Sequence, residues 1–432
     1  MSTEQAMSMS DEHSMAMPAP HGEMMMPSGH LYLQTNEIRN AVAHYVRSPD
    51  GTITEAERTS TGGAGSGVYK PISGQASAPN AFEGAASVIL SPDRRFLFAT
   101  NGGDNSVSSF SVGADGKLTL IDVKRTGNVV TGRSGTAKSL AYAPASNTLY
   151  VLHSFGPDHL RLMSVDGDGR LTPRTEKHTA NTMDKTERVP TVVVLTPDGQ
   201  YLVVGTTFDQ LPHANPDGSP ILWVEGPDGA PKSIASNAPD PDGLVVFPVG
   251  EDGALGEGTF YDAGCGSPFF PAFLHHRPDH FVIGAAVGDG IVLATIGASG
   301  RITTGPLVQI DTSAGQPSEL CWLSVSPDDQ FVFATSFGYS NLSSFRVDGN
   351  VVSIAKDPAC PKVPGDGTFR ALNGTVSSGP SDSWLSPDGA YLYQIYGNAS
   401  KLVGYAVQPD GSLEEITSAT IPYNSPEGLA GV

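Results

Sequence analysis

A closed ring of seven small antiparallel sheets, a seven-bladed β-propeller, is the all-β fold that this sequence predicts. Three observations carry the reading. A strand-turn-strand ending recurs seven times, and an opening turn recurs six times. The first repeat lacks an innermost strand, which the C-terminal LAGV at 429–432 can supply. Repeats of this kind, each too small to bury both faces alone, specify a propeller.

The unit is clearest at 385–416, LSPDGAYLYQIYGNASKLVGYAVQPDGSLEEI. Three alternating apolar runs are separated by Asp388-Gly389 and Asp410-Gly411, and such dipeptides between period-two runs signal tight hairpins because Gly accepts positive φ. Its ending is echoed at Asp50-Gly51, Asp115-Gly116, Asp168-Gly169, Asp252-Gly253, Ser299-Gly300 and Asp348-Gly349. Its opening is echoed from Ser91, Ala143, Thr196, Arg277 and Ser326.

The second strands then fall at 31–35, 96–100, 149–153, 201–206, 280–285, 331–336 and 391–396. Innermost strands precede six of them, at 86–90, 138–142, 191–195, 270–274, 320–325 and 382–385. The repeats leave no gap for another unit, so residues 30–432 read as one propeller behind a tail at 1–29.

The 50 Gly and 34 Pro suit a chain of strands and turns. A formal charge of -20 argues against nucleic-acid and anionic-membrane partners. An anionic small molecule would need a local basic cluster. Cys265, Cys321 and Cys360 are far apart and show no metal-ligand spacing. No apolar run is long enough to span a membrane and no secretory signal is visible, which points to a cytoplasmic protein. No cofactor is called for.

The tail departs from everything after it. Eight of the ten methionines lie at 1–29, with His13 and His21 among them and His30 at its edge. Thioether sulfur is a soft ligand, so the spacing resembles segments that bind Cu(I) or Ag(I). Its Ser, Pro and acidic residues dilute the sulfur and favour a plain disordered polar tail.

Loop lengths locate the functional face. Tight turns all belong to one face, whereas the long connections at 62–84, 172–190, 208–243 and 357–381 belong to the other. Long loops on a rigid scaffold are where sites are built. The insertion 208–243 in the fourth blade, with Ile221, Leu222 and Trp223 at its centre, reads as a lid over the channel mouth or as a decorative loop.

On the same face, Glu83, Lys138, Glu319, Asp382 and Glu427 stand at or just before innermost strands, and their convergence from separate blades is what a site requires. Arg133, Lys138, Lys185, Arg188, Lys362 and Arg370 fall on connections of this face, where they can hold a carboxylate or phosphate or remain solvated.

Three stretches carry a family resemblance: LYLQTNEIRNAVAHYVRSPDGTITEAERTSTGGAGSG from Leu31, VILSPDRRFLFATNGGDNSVSSFSV from Val88, and LCWLSVSPDDQFVFATSFGYSNLSSFRV from Leu320. With the repeats, they make the chain after His30 resemble the lactonase family of seven-bladed propellers, which includes 6-phosphogluconolactonases and carboxy-muconate cyclases.

That resemblance implies a hydrolase or cyclase for a small, anionic lactone of the sugar or muconate type, working at the channel mouth through a His, Arg residues and a Glu. The matching positions are His153 and Arg188, both expected to point into the channel face. Thr206 stands where many members have the Glu, leaving Asp209 as the nearest carboxylate. Asp209 therefore joins His153 and Arg188 as a catalytic candidate, while Lys138, Glu83, Glu319, Asp382 and Arg133 are candidates for substrate binding. The alternative is a non-catalytic propeller that binds a ligand or protein on its loop face.

Overall fold

The second strands are apolar runs, and the structure buries several of them from end to end: every residue of Phe96–Asn101, Thr148–His153 and Phe331–Ser336 is shielded. Outermost strands such as Leu118–Arg125, Leu171–His178 and Leu413–Thr420 bury only their first residue and keep the rest partly or wholly wet. This gradient, from buried centre to wet rim, is what a radial stack of four-stranded sheets produces.

The computed structural model describes residues 1, 29–68, 77, 79, 85–129, 136–183, 185–186, 188–208, 223–225, 231–233, 243–310, 318–371 and 374–432. Among them are seven four-stranded antiparallel sheets. Six run outward in chain order, beginning with innermost strands Val88–Leu90, Ala137–Ala143, Val189–Leu195, Pro268–Phe273, Leu320–Val325 and Pro380–Leu385. In the seventh sheet, blade 1, the C-terminal Leu429–Gly431 pairs with Gly29–Gln34 in the register Leu31 to Gly431, Tyr32 to Ala430 and Leu33 to Leu429. The C-terminal strand thus closes the ring, as the missing innermost strand predicts.

The tail at 2–28 lies outside the described residues, as does most of the insertion. Within the latter, Trp223–Glu225 and Pro231–Ser233 pair as a short hairpin.

Seven apolar clusters of the described residues lie between neighbouring blades. An eighth fills the centre with Phe155, Phe269, Trp322, Phe337 and Phe369. Each fully buried Leu, Val or Phe contributes about 1.5–3 kcal/mol, so the blades are held chiefly by these seams.

The turns add a second device. The Gly of each hairpin ending adopts positive φ and presents a bare backbone to the blade before it. A Cβ at Gly169 would lie 2.6 Å from the Phe96 ring, and one at Gly411 would lie 2.7 Å from that of Phe331. Tyrosine hydroxyls cross the same seams: Tyr32 donates to the carbonyl of Gly116 at 2.7 Å, and Tyr393 to that of Gly51 at 2.6 Å.

Candidate functional site at the loop face of the channel

Innermost strands all enter from the long-loop face, and their entry is locked by polar groups from the preceding blade. The residue before or at the entry is left-handed in Ala86, Thr136, Ser267 and Glu319, with φ between 52° and 55°. Such a bend leaves backbone N–H groups pointing away from the sheet, and side chains accept from them. Asn105 Oδ1 accepts from Ala137 N–H at 3.1 Å, Ser340 Oγ from Ser378 N–H at 2.9 Å, and Asp289 Oδ1 from Ser318 and Glu319 N–H at 2.6 and 3.2 Å. Burial raises Asp289 to about 6, against the pull of those donors.

Among the charged side chains buried at this end, four stand at or just before the innermost strands of four different blades. Lys138 and Glu319 are 0% and 1% exposed, and Asp382 and Glu427 are 5% and 1% exposed. Buried charge is costly unless compensated.

Asp382 shows the compensation in full. Its Oδ2 accepts from Ala86 N–H at 3.3 Å and Leu429 N–H at 3.2 Å, and its Oδ1 from Ser383 N–H at 3.0 Å. One carboxyl therefore ties blades 7, 1 and 2 together beside the closing strand. Burial pushes it up to about 7, opposed by the three N–H groups.

Glu427 is held by the LQTN motif. Asn36, itself left-handed at φ 46°, donates from Nδ2 to Glu427 Oε1 at 2.7 Å and to Ser66 Oγ at 2.8 Å, while its Oδ1 accepts from Ser66 N–H. The next residue, Gly428, donates to Ser87 Oγ at 2.7 Å.

His153 corrects an expectation. It does not present its ring to the channel: it is fully buried, its Nε2 accepts from Thr126 Oγ1 at 2.8 Å, and its Nδ1 donates to the His159 carbonyl at 3.1 Å. Burial drives it down to about 3, so it is neutral with both nitrogens engaged.

Arg188 likewise turns into the seam between blades 3 and 4. It donates from Nη1 to the Ala180 carbonyl at 3.2 Å, and its guanidinium lies 4.0 Å from the centre of the Phe260 ring. Thr206 donates to the Gly243 carbonyl at 2.7 Å, spanning the base of the insertion. Asp209, Glu83 and Arg133 lie outside the described residues.

Sequence reasoning missed His159, Asp289 and the double role of Asn36. His159 is buried, donates from Nε2 to the Arg188 carbonyl at 3.0 Å and accepts at Nδ1 from Ala180 N–H at 3.1 Å. Burial, with Lys138 and Arg188 nearby, lowers it to about 4. Its signal is the break in strand pattern at GPDHL, which reads as an ordinary turn. Asp289 sits in a Gly-Asp-Gly that reads as a hairpin tip.

Cys321 and Cys360 are buried free thiols, and burial raises both above the usual thiol range. Neither is set up as a nucleophile. At the opposite mouth, where the innermost strands of blades 5, 6 and 7 end, a cavity of about 380 Å³ is lined by Phe273, His275, Ser324, Ser383, Trp384 and Pro387 among others.

Residues 20–134 match the sequence model of the family described as "Lactonase, 7-bladed beta-propeller". The resemblance to the lactonase propellers holds. No curated protein matches the chain. Among solved structures, the Pseudomonas aeruginosa periplasmic gluconolactonase superposes on this lactonase-like ring with a TM-score of 0.63 at 16% identity, covering 94% of this chain and 99% of the other. A candidate 6-phosphogluconolactonase from Bacteroides uniformis gives 0.63 at 13%, with 94% and 99% covered. A hypothetical selenium-binding protein from Sulfolobus tokodaii gives 0.60 at 12%, with 93% of each covered. These likenesses establish the shared fold; the family match adds the lactonase relation.

Proposed function

We propose that the chain hydrolyses a small lactone bearing an anionic group, at the loop-face end of the central channel. The observation that carries this reading is the burial of Lys138, Glu319, Asp382 and Glu427 at the entries of four separate innermost strands in a lactonase-like propeller.

The chemistry follows from the groups. Water adds across the ring C–O bond: its oxygen joins the carbonyl carbon while its proton passes through a base to the departing ring oxygen. Asp382, near 7, is matched to that shuttle at neutral pH. The Lys138 ammonium is suited to the developing oxyanion or the substrate's anionic group, and a muconate-type cyclisation would use the same clamp. His153 and Arg188 serve as positioning residues, orienting the turn that carries His159. Asp209, Arg133 and Glu83, expected from the sequence on connections of the same face, are proposed as further substrate contacts.

The test is proton release from a panel of sugar lactones, phosphorylated sugar lactones and muconates, with Lys138→Met and Asp382→Asn beside the wild type and melting curves for each. The reading expects turnover of an anionic lactone and a loss of at least 100-fold in kcat/KM for folded Lys138→Met. Rates at the uncatalysed level, or unchanged in both variants, would sink it.

A second reading, a ligand-binding propeller without catalysis, is favoured by Thr206. Its hydroxyl is bonded to the Gly243 carbonyl where the resemblance implies a glutamate. Saturable binding of lactones and hydroxy acids without turnover would select it.

A further inference from the structure

Blade 1 departs from its copies at two positions that face each other. On its second strand, His30 stands where other blades have Phe96, Tyr201, Phe331 and Tyr391. On its third, His44 pairs with Tyr32. The matching residues of the other six blades are Ser109, Leu162, Val246, Leu293, Ser344 and Gly404, none of them ionisable. Blade 1 alone carries an imidazole at both positions, and it is the blade that the Met-rich tail enters.

The two rings meet edge to edge, with His30 Nδ1 and His44 Nε2 3.0 Å apart. Both rings are held from their faces. Tyr32 stacks on His44 at 5.1 Å and 20°. A Cβ at Gly116 would lie 2.4, 2.5 and 2.7 Å from Nδ1, Cγ and Cε1 of His30, so that glycine covers the face of the ring rather than its edge. Ring nitrogens bonded to one tetrahedral ion at about 2.0–2.1 Å stand about 3.3 Å apart. The pair is therefore close to ligand spacing as it stands.

Ligation needs both facing nitrogens bare, so the hydrogen between them moves to the far nitrogen of its own ring. At His44 that atom is Nδ1, which is buried, has no hydrogen-bond partner and stands 4.0 Å from Glu57 Oε1. A carboxylate behind a ligating imidazole is the common outer support of a metal site. Glu57 and Asp115 also set the charge around the pair, against one Lys117 that Asp115 holds at 2.9 Å, which favours a cation.

Two imidazoles are half a site. Among the described residues no group of three His, Cys, Asp or Glu is placed to hold an ion. The remaining ligands have a source in the adjoining sequence, where Met24, Met25 and Met26 precede Gly29. The three-residue step from Met26 to Gly29 spans at most about 11 Å. Thioethers select Cu(I), and imidazole suits copper as well.

We infer that His30 Nδ1 and His44 Nε2 are the fixed half of a Cu(I) site whose other ligands are thioethers of Met24, Met25 and Met26. The site lies at the end of blade 1 opposite the loop face and is independent of the lactonase reading.

Cu(I) titrated anaerobically into the full-length chain against bicinchoninate, with X-ray absorption of the loaded protein, tests this. The expected result is one chelator-resistant Cu(I) with both nitrogen and sulfur in its shell. The double variant His30→Phe, His44→Ser introduces the residue types that blade 2 has at these positions, so the seam stays filled, and it is expected to bind at least 100-fold more weakly. The triple variant Met24→Leu, Met25→Leu, Met26→Leu leaves every blade untouched; it is expected to lose the sulfur shell and at least 10-fold in affinity. No chelator-resistant Cu(I), a shell lacking nitrogen or lacking sulfur, or affinity within threefold of wild type in either variant overturns the inference.

Discussion

Asp382 is the side chain whose removal should reveal most about how this ring is closed. Replacing it by Asn leaves one carbonyl oxygen for the three N–H groups of Ala86, Ser383 and Leu429, and sets an NH2 where a second acceptor stood. That local loss is about 1–3 kcal/mol and independent of pH. A second effect has the opposite sign. The carboxyl is raised from 3.8 to about 7 in the folded protein, so folding binds a proton that the unfolded chain releases. For a raised acid, stability is fully present below the unfolded value and falls as pH rises toward the folded one. Linkage with those two values puts the cost of Asp382 at about 2 kcal/mol at pH 5 and about 4 kcal/mol at pH 8. Asn does not titrate and escapes the cost. The melting-temperature difference between Asp382→Asn and wild type should therefore shift in the variant's favour between pH 5 and pH 8. With unfolding entropy near 2.1 cal/mol/K per residue, about 2 kcal/mol in a ring of this size is a shift of about 2–3 °C. Other titrating groups are common to both proteins and cancel in the difference. Calorimetric scans at the two pH values decide it: a difference that is the same at pH 5 and pH 8 would show that the carboxyl does not titrate in this window, and would remove its pKa from the proposed shuttle.

Three further outcomes follow from the same geometry. Deleting residues 429–432 removes the closing strand with its pairing to Leu31, Tyr32 and Leu33 and the Leu429 N–H that Asp382 holds; chemical denaturation should show a loss of several kcal/mol or a second transition. Gly169→Ala and Gly349→Ala both place a Cβ at positive φ, but only the first drives it into a neighbouring ring; denaturation midpoints should place Gly349→Ala near the roughly 1 kcal/mol backbone cost and Gly169→Ala well beyond it. His153 and His159 are held neutral at about 3 and about 4, below the ordinary 6.5. Their contribution is present above pH 6.5 and is lost as pH falls toward those values, so acid unfolding below pH 5 should be shallower in His153→Gln than in wild type, as read by circular dichroism across a pH series.

The scaffold was legible because its information is periodic. Second strands at 96–100, 201–206 and 331–336 were placed from alternation and turn dipeptides, and the same physics, a buried strand behind a tight turn, fixes them in the folded ring. The closing strand was legible for a related reason, since a blade short of one strand has an unpaired edge that something must cover. The site is different in kind. Lys138, Glu319 and Asp382 could be named because strand entry is a periodic position, but which way His153 and Arg188 turn depends on groups with no repeat signature. Thr126 takes His153's ring, Phe260 takes Arg188's guanidinium, and the GPDHL turn delivers a second histidine between them. Aperiodic departures matter as much when the sequence registers them faintly. RPDHFVIGA carries His280 where Phe96, Tyr201 and Phe331 stand in other blades, and the ending across its seam is a two-residue turn in which Asp348 pairs with Val351, so Gly349 meets no neighbouring side chain. In a repeat scaffold the copies specify packing, and a copy that fails to pack leaves room that selection can use.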